Sequence, residues 1–198
     1  MLLKRIFDIV SSLFALLIGL PFFLVVSILI VLDSKGGVFF RQTRVGVGNR
    51  DFRLFKFRTM KPDSESLGQI TVGGRDPRIT NVGYWLRRFK IDEFPQLINV
   101  LLGDMSIVGP RPEVRRYVDL YTQEQLNVLS VRPGLTDYAS LEYINENDLL
   151  EKSSDPDKTY IEEIMPAKLA LNQKYIDEKS LGLDFKLIFK TISKLFNN

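Results

Sequence analysis

The chain has 198 residues, of which 45% are hydrophobic, so it can bury the core of one ordinary domain and a disordered protein is not expected. It contains neither Cys nor His, which excludes disulfides, thiolate nucleophiles and metal sites built on those ligands. The net charge of +3 is small and by itself identifies no partner. Any catalysis must use carboxylate, amine, guanidinium or hydroxyl groups, and any metal should be a hard one such as Mg²⁺.

The N-terminal segment is long and apolar. No charged residue lies between Asp8 and Asp33, and a stretch of this length can span a bilayer. A signal peptide is disfavoured because no small-residue cleavage site follows the apolar core. Two topologies remain open: a straight transmembrane helix, or a re-entrant hairpin that enters one leaflet and returns to the same side.

Pro21 favours the hairpin. Proline kinks or breaks a helix, and each half of the segment would then be ~18 Å long, too short to cross a hydrocarbon core of ~30 Å. Basic residues flank both ends of the segment, namely Lys4, Arg5, Lys35, Arg41 and Arg44. Because basic flanks favour the cytoplasm, we expect a re-entrant membrane unit over residues 1–35 and a cytoplasm-facing domain over residues 36–198.

The second region has the pattern of an α+β domain that is mostly helical. Short strands at residues 38–40 and 52–57, separated by a glycine-rich turn, predict a small β-hairpin. Helices are expected over residues 79–89, 95–102, 113–129 and 164–177. Gly103 ends the second of these, and Pro166 is tolerated in the first turn of the last.

The C-terminal segment has an apolar face at helical spacing. That face comprises Phe185, Ile188, Phe189, Ile192, Leu195 and Phe196, and beside it lie Lys186, Lys190 and Lys194. A Phe-rich face flanked by lysines is typical of an amphipathic helix that lies in the lipid interface. The alternative is a terminal helix that packs on the core with its lysines in water.

The stretch from Arg75 to Glu113 contains the residues best suited to chemistry. Asp92 and Glu93 are adjacent where a helix should begin, and the N–H groups there favour negative charge and can bind phosphate. An ionised carboxylate is a competent nucleophile toward phosphorus, and a neighbouring carboxylate can hold Mg²⁺. Taken alone, however, the pair is more typical of simple helix capping.

Several basic residues are candidates for phosphate binding. Prolines on both sides of Arg111 fix its backbone, so its guanidinium is pre-positioned for a bidentate phosphate contact. The further candidates are Lys56, Arg58, Arg78, Arg87 and Arg88. Taken singly, Arg111 could equally be a loop arginine paired with a nearby acid, and Lys56 and Arg58 are more typical of a solvated strand face.

Together and in this order, the motifs resemble those of the bacterial sugar transferase family, the monotopic polyprenyl-phosphate phosphoglycosyl transferases of small single-domain type. The resemblance covers nearly the whole chain. Besides the apolar segment broken by proline, it is carried by the blocks at residues 39–46, 56–60, 76–80, 92–96, 103–106, 109–113 and 132–134. The chain departs from the family pattern at Leu20, where members often have Ser, and just after Gly134.

The resemblance implies a reaction and residue roles. Asp92 would attack the β-phosphate of a UDP-sugar, release UMP and carry the sugar phosphate until polyprenyl (undecaprenyl) phosphate accepts it. Glu93, together with Asp92, would hold Mg²⁺, and Arg111 would grip phosphate. Direct transfer through a ternary complex is one alternative. A membrane scaffold without turnover is another, which the intact Asp92–Glu93 pair argues against.

The resemblance also implies a location and partners. The protein would lie on the bacterial inner membrane as a monotopic enzyme with its active site facing the cytoplasm, at the first membrane step of glycoconjugate or exopolysaccharide assembly. Its partners would be UDP-sugar, polyprenyl phosphate and membrane lipid. Downstream glycosyltransferases and a second copy of the chain are further candidates. No nucleic-acid motif is present, so nucleic-acid binding is not expected.

Overall fold

The computed structural model describes residues 2–62, 64 and 76–196, and in these ranges the chain is mostly helical with two small sheets. The helices are α1 Leu2–Asp33, α2 Asn81–Arg88, α3 Gln96–Leu102, α4 Arg115–Val118, α5 Tyr138–Glu142, α6 Glu146–Glu151, α7 Pro156–Thr159, α8 Met165–Glu178 and α9 Leu181–Phe196. The strands are β1 Phe39–Val45, β2 Asp51–Phe57, β3 Ser106–Val108 and β4 Gly134–Thr136. Between them lie 3₁₀ turns at Val47–Asn49, Ile91–Glu93 and Gln125–Ser130, and a π-helical turn at Tyr160–Ile164. The predicted class, mostly helical with little strand, is confirmed.

The predicted β-hairpin is present. β1 and β2 pair antiparallel, with Phe39 opposite Phe57 and Val45 opposite Asp51. The first strand is longer than predicted. Gly48 and Asn49 in the connecting turn have φ values of 67° and 61°, a left-handed conformation that Gly adopts freely and Asn tolerates.

A second sheet, which the sequence did not predict, joins β3 and β4 in parallel. It requires glycine, because a Cβ on Gly134 would lie 2.1 Å from the backbone nitrogen of Gly109. Two three-residue strands that lie far apart in the chain leave no periodic signal, so only the tertiary fold reveals them.

Three of the four helices predicted in the second region are confirmed. Thr80 caps α2, since its hydroxyl accepts a hydrogen bond from the Gly83 N–H at 3.0 Å. α3 ends at Gly103, which has a φ of 97°, and α8 carries Pro166 in its first turn.

The single helix predicted over residues 113–129 is wrong. The structure has the short α4, then a break, then the 3₁₀ turn Gln125–Ser130. The Gln125 side chain accepts from the Thr122 N–H at 2.8 Å, and the Thr122 hydroxyl accepts from the Gln125 N–H at 3.3 Å. This reciprocal capping box starts a new helical turn at Thr122 and separates it from α4.

α1 is an α-helix of 32 residues that is assigned without a break through Pro21. It is the only helix among the described residues that is long and apolar enough to cross a membrane, and most of its apolar side chains are exposed. A membrane association fits these features. The predicted re-entrant kink is not confirmed by the helix assignment.

The N-terminal end of α1 is tied to the rest of the chain by charged groups. Lys4 Nζ lies 2.6 Å from Asp184 Oδ2 and donates to the Val108 carbonyl at 3.0 Å. Asp8 is buried and accepts from the Ile107 N–H at 3.1 Å. Arg5 donates to carbonyls at the C-terminal end of α3, where cations are favoured.

The C-terminal half of α1 contacts the same domain. Val26 and Ile30 form a buried cluster with Phe57 of β2 and Leu86 of α2. At the end of the helix, Asp33 accepts from the Val82 N–H at 2.8 Å. Both ends of α1 therefore lie against one folded unit.

The largest core cluster joins the C-terminal helices to β3. It contains Val108, Val114, Tyr117, Val128, Leu150, Tyr160, Ile164, Met165, Leu169, Tyr175, Ile176 and Leu187. A cavity lies between this cluster and the one formed with α1.

α9 buries one side and exposes another. Leu187 and Asp184 are buried, whereas Phe185, Phe189 and Ile192 are 44%, 69% and 46% exposed. Lys194 donates to the Leu141 carbonyl at 2.6 Å. The side chains of Leu195 and Phe196, which were predicted on the apolar face, lie outside the described part of the structure.

Candidate active site

A cavity of about 530 Å³ opens between the β-hairpin, α2 and the C-terminal elements. Among the described residues its lining contains seven basic and three acidic side chains, so positive charge predominates. The basic residues are Arg44, Lys56, Arg58, Lys61, Arg87, Arg111 and Lys168, and the acidic ones are Asp92, Glu113 and Glu146.

Asp92 reaches the cavity from a tight 3₁₀ turn. The turn follows Lys90, whose φ of 55° is unusual for a residue with a side chain. Ile91 packs toward α1, and the ring of Phe94 lies 6.0 Å from that of Phe23 in α1. The predicted helix start at Asp92 is thus a separate turn, and α3 begins at Gln96.

Asp92 as a residue is 6% exposed, and its carboxylate forms no hydrogen bond or ion pair among the described residues. Burial raises the pKa of Asp92, an effect that the nearby Lys56 ammonium opposes. A carboxylate with few partners and little solvent is costly to the fold, so this position is better explained by chemistry than by packing.

Glu93, unlike Asp92, is in direct contact with cationic side chains. Its Oε1 accepts from Lys56 Nζ at 3.1 Å and from Arg111, and its Oε2 accepts from Arg111 at 3.1 Å. Burial disfavours the ionised form, but the charges of Arg111 and Lys56 outweigh it and hold the pKa of Glu93 well below its usual range. Glu93 in turn raises the pKa of Arg111, whereas burial lowers the pKa of Lys56.

The segment that carries Arg111 is fixed by neighbouring polar groups. Arg44 donates to the Pro112 carbonyl at 3.1 Å and to Glu113 Oε1 at 3.2 Å. The Tyr160 hydroxyl donates to Glu113 Oε2, and the Val45 N–H donates to the Glu113 carbonyl at 2.9 Å. The rigid presentation of Arg111 therefore depends on the hairpin and the π-helical turn as well as on its flanking prolines.

The other predicted phosphate ligands fall into two groups. Lys56, Arg58 and Arg87 line the cavity with Arg111 and Asp92. Arg58 is engaged by the segment that follows α1, since it donates to the Gly37 carbonyl and to the hydroxyl and carbonyl of Ser34.

Arg78 and Arg88 are not among the described lining residues. Arg78 is paired with Asp76 at 2.6 Å. The Arg88 guanidinium lies 5.4 Å from the centre of the exposed Trp85 ring. Arg75 lies outside the described residues.

The magnesium site at Asp92 and Glu93 stays a prediction, and both Glu93 oxygens already accept hydrogen bonds from Lys56 and Arg111. No group of three or more acidic residues that could hold a metal exists among the described residues, so an all-protein cage is not formed there. Mg²⁺ usually binds one or two carboxylates together with substrate phosphates, and Asp92 and Glu93 supply two carboxylates beside a basic cavity.

A family model described as bacterial sugar transferase matches residues 1–198. This chain belongs to the bacterial sugar transferase family. The resemblance inferred from the sequence motifs is thereby confirmed.

Named relatives cover almost all of the chain. It is 40% identical over 193 residues to the UDP-N-acetylgalactosamine-undecaprenyl-phosphate N-acetylgalactosaminephosphotransferase of Aeromonas hydrophila, covering 96% of this chain and 43% of that protein. It is 37% identical over 201 residues to the UDP-glucose:undecaprenyl-phosphate glucose-1-phosphate transferase of Escherichia coli (strain K12), covering 100% and 41%. The exopolysaccharide production protein PSS of Rhizobium leguminosarum bv. phaseoli is 40% identical over 199 residues, covering 97% and 94%.

The chain thus spans less than half the length of the first two relatives and nearly all of the third.

Sequence reasoning about this sugar transferase missed part of the cavity wall. Glu146, Tyr160 and Lys168 line it, yet they lie on α6, the π-helical turn and α8, far along the chain from Asp92. No spacing pattern connects them to the site. Arg44 and Glu113 lay inside blocks that carried the family resemblance, so the signal for these two was present but their pairing was not predictable.

Proposed function

We propose that the chain is a phosphoglycosyl transferase that moves a sugar 1-phosphate from a UDP-sugar to polyprenyl phosphate and releases UMP. One observation carries the proposal: Asp92 is a buried carboxylate that forms no hydrogen bond or ion pair among the described residues, in a cavity lined mainly by basic groups. The names of the relatives, which are undecaprenyl-phosphate sugar phosphotransferases, support the same reaction.

The reaction proceeds in two displacements at one phosphorus atom. An Asp92 oxygen forms a bond to the β-phosphorus, and the bond from that phosphorus to the oxygen of the α-phosphate breaks, so UMP leaves with the electron pair. An oxygen of polyprenyl phosphate then attacks the same phosphorus, and the bond to Asp92 breaks. The products are a polyprenyl-diphosphate sugar and the regenerated Asp92 carboxylate.

The difference between the two carboxylates supports Asp92 as the nucleophile. Both oxygens of Glu93 are engaged by Lys56 and Arg111, which reduces their availability for attack. Burial of Asp92 removes water that would otherwise compete for its lone pairs. Two acidic groups whose pKa values are pushed apart commonly have different catalytic roles.

The surrounding cations hold the charge of the diphosphate. Lys56, Arg87 and Arg111 line the cavity and would neutralise its non-bridging oxygens before and during transfer. We expect Asp92 and Glu93 to hold Mg²⁺ jointly with the diphosphate. When bound, Mg²⁺ supplies further neutralisation of the charge that develops on the leaving UMP.

The contacts of α1 support a monotopic arrangement on the inner membrane. A helix that crossed the bilayer would carry Lys4 to the far side, where it could not reach Asp184 on the folded domain. The exposed apolar surface of α1 requires a cover of lipid, and the exposed Phe189 and Ile192 of α9 would lie in the interface. UDP-sugars are cytoplasmic, so the active site faces the cytoplasm.

The proposal is tested by UMP release from the full-length chain in lipid vesicles, with a panel of UDP-sugars and undecaprenyl phosphate. UMP release with at least one donor is expected, and its absence with every donor would refute the proposed reaction. A donor labelled in the β-phosphate separates the two mechanisms. Covalent transfer labels the protein without acceptor and loses the label when acceptor is added, whereas a ternary complex gives neither label nor UMP without acceptor.

A further inference from the structure

The cavity has a second set of polar side chains that the proposed transfer does not use. Glu146 and Asn147 of α6, Tyr160 of the π-helical turn and Lys168 of α8 all line it. None of them forms a hydrogen bond or ion pair with Asp92 or Glu93 among the described residues. Their presence in the wall therefore needs another explanation.

The centre of this set is an ion pair. Lys168 Nζ lies 2.7 Å from Glu146 Oε2 and 5.2 Å from the centre of the Tyr160 ring. The Lys168 side chain is only 12% exposed and that of Glu146 26%. Lys168 donates to Glu146 Oε2. Glu146 Oε1 has no hydrogen-bond partner among the described residues, so it can accept a hydrogen bond from a ligand.

The chemistry of this set matches a polyhydroxylated group. Each hydroxyl can donate to the Glu146 carboxylate and accept from the Lys168 ammonium or the Asn147 amide. A carboxylate repels phosphate, so Glu146 does not suit a further phosphate subsite. A sugar or the ribose and base of the nucleotide therefore remains as the occupant.

Proximity to Arg111 favours the sugar. Glu146 lines the same cavity as Arg111 and Asp92, so its carboxylate and the groups proposed to bind the phosphate and attack the phosphorus face one space. In the proposed reaction the sugar is bonded to the phosphorus that Asp92 attacks. The uracil is separated from that phosphorus by the α-phosphate and the ribose.

Resting on the proposed function, we infer that Glu146, Asn147 and Lys168 recognise the hydroxyl groups of the transferred sugar and determine which UDP-sugar is used. Lys168 orients the Glu146 carboxylate, and Tyr160 holds Lys168 through its ring. Because Tyr160 also donates to Glu113, the sugar-binding residues and the Arg111 segment share one support.

The test compares variants on UDP-glucose, UDP-galactose, UDP-N-acetylglucosamine and UDP-N-acetylgalactosamine. The variants are Glu146→Gln and Asn147→Ala, with Glu151→Gln as the matched control, because Glu151 is an exposed acid of the same helix that does not line the cavity. Inhibition by UMP is measured in parallel as a probe of the nucleotide alone. Asn147 is exposed, so its variant remains informative if Glu146→Gln lowers stability.

We expect Glu146→Gln and Asn147→Ala to change the ratio of kcat/KM between donors by about tenfold or more while UMP inhibition stays the same. Altered UMP inhibition with unchanged donor ratios would overturn the inference and assign these residues to the nucleotide. Unchanged donor ratios and unchanged inhibition would overturn it in favour of a solvated ion pair. Failure of the unaltered chain to use any donor would instead refute the proposed transfer, and the inference with it.

Discussion

Asp92 and Glu93 are adjacent in the chain, but only Glu93 is neutralised by direct contacts with cations. Asp92 is buried without such contacts among the described residues, and this raises its pKa. The folded chain therefore binds the Asp92 proton more tightly than the unfolded chain does. The contribution of Asp92 to the free energy of unfolding is largest below the pKa of this group in the unfolded chain. It decreases as pH rises through the pKa in the folded chain, so the ionised carboxylate at neutral pH lowers stability.

Asp92→Asn should abolish transfer without harming the fold. An amide cannot form the acyl phosphate, so UMP release is expected to fall roughly a thousandfold or more. The melting temperature at neutral pH should stay the same or rise, because the substitution removes a buried charge. Asp119→Asn, at a highly exposed carboxylate, is the control and should change neither quantity. Near-normal turnover by folded Asp92→Asn protein would end the covalent mechanism.

Arg111→Ala should impair transfer more than stability. A preorganised donor to a transition state contributes roughly 2–4 kcal/mol, so kcat/KM should fall by roughly 30- to 1,000-fold. Lys56 still neutralises Glu93 in this variant, which limits the loss of stability. Arg115→Ala removes an arginine that pairs on the surface with Asp51 and should leave kcat/KM unchanged. Equal behaviour of the two variants in activity assays would exclude a phosphate-binding role for Arg111.

At the scale of elements, α1 is coupled to the turn that carries Asp92. Phe23 of α1 lies 5.9 Å from Phe57 and 6.0 Å from Phe94, measured between ring centres. The ring of Phe23 fits against the helix because Gly19 has no side chain, and a Cβ there would lie 2.8 Å from it. The membrane helix thus contacts the turn that carries Asp92 through the Phe23–Phe94 ring pair and through the apolar cluster that includes Ile91.

Gly19→Ala should therefore lower catalytic activity, although residue 19 lies in α1 and not in the cavity. The added methyl displaces the Phe23 ring, and we expect a several-fold loss of kcat with normal membrane association. Alanine otherwise favours helix over glycine by about 1 kcal/mol, so helix loss would not explain the result. Gly182→Ala in α9 is the matched control, since a Cβ there meets nothing within 4 Å. Full activity of the Gly19 variant would show that the aromatic contact is not needed.

Elements with local signals were predictable from the sequence, and elements that depend on distant contacts were not. Thr80, Gly103 and Pro166 mark helix ends by their own chemistry, and the structure has helix ends at those places. The capping box at Thr122 was also a local signal, but the apolar periodicity around it concealed the break. The wall formed by Tyr160 and Lys168 results from tertiary packing and had no signal near Asp92.

At the scale of the whole molecule, the described surface places apolar groups on several elements around α1. Besides α1 itself, the exposed aromatic residues include Trp85, Phe89, Phe94, Phe185 and Phe189. Phe185 contacts Phe7 of α1, with ring centres 5.0 Å apart, so part of the α9 face adjoins the membrane helix. A surface of this kind is typical of a protein that associates with a membrane.

Single cysteines at Leu3 and Lys35 test that topology, because the native chain contains no cysteine. Both positions are exposed and flank α1. A monotopic chain should react with a membrane-impermeant maleimide at both positions only after the inner membrane of spheroplasts is opened. Labelling of residue 3, but not residue 35, in sealed spheroplasts would mean that α1 spans the bilayer, although the chemistry proposed for Asp92 would survive.

The excess of basic over acidic side chains around the cavity also bears on how fast the donor arrives. A positively charged, partly enclosed cleft attracts a dianionic nucleotide over distances of about one Debye length, ~8 Å at physiological ionic strength. Added salt shortens this range and should slow encounter, so kcat/KM should fall with ionic strength while kcat, measured at saturating donor, changes little. The same attraction acts on the UMP product and slows its dissociation from the cavity. Added salt should therefore accelerate the release of UMP.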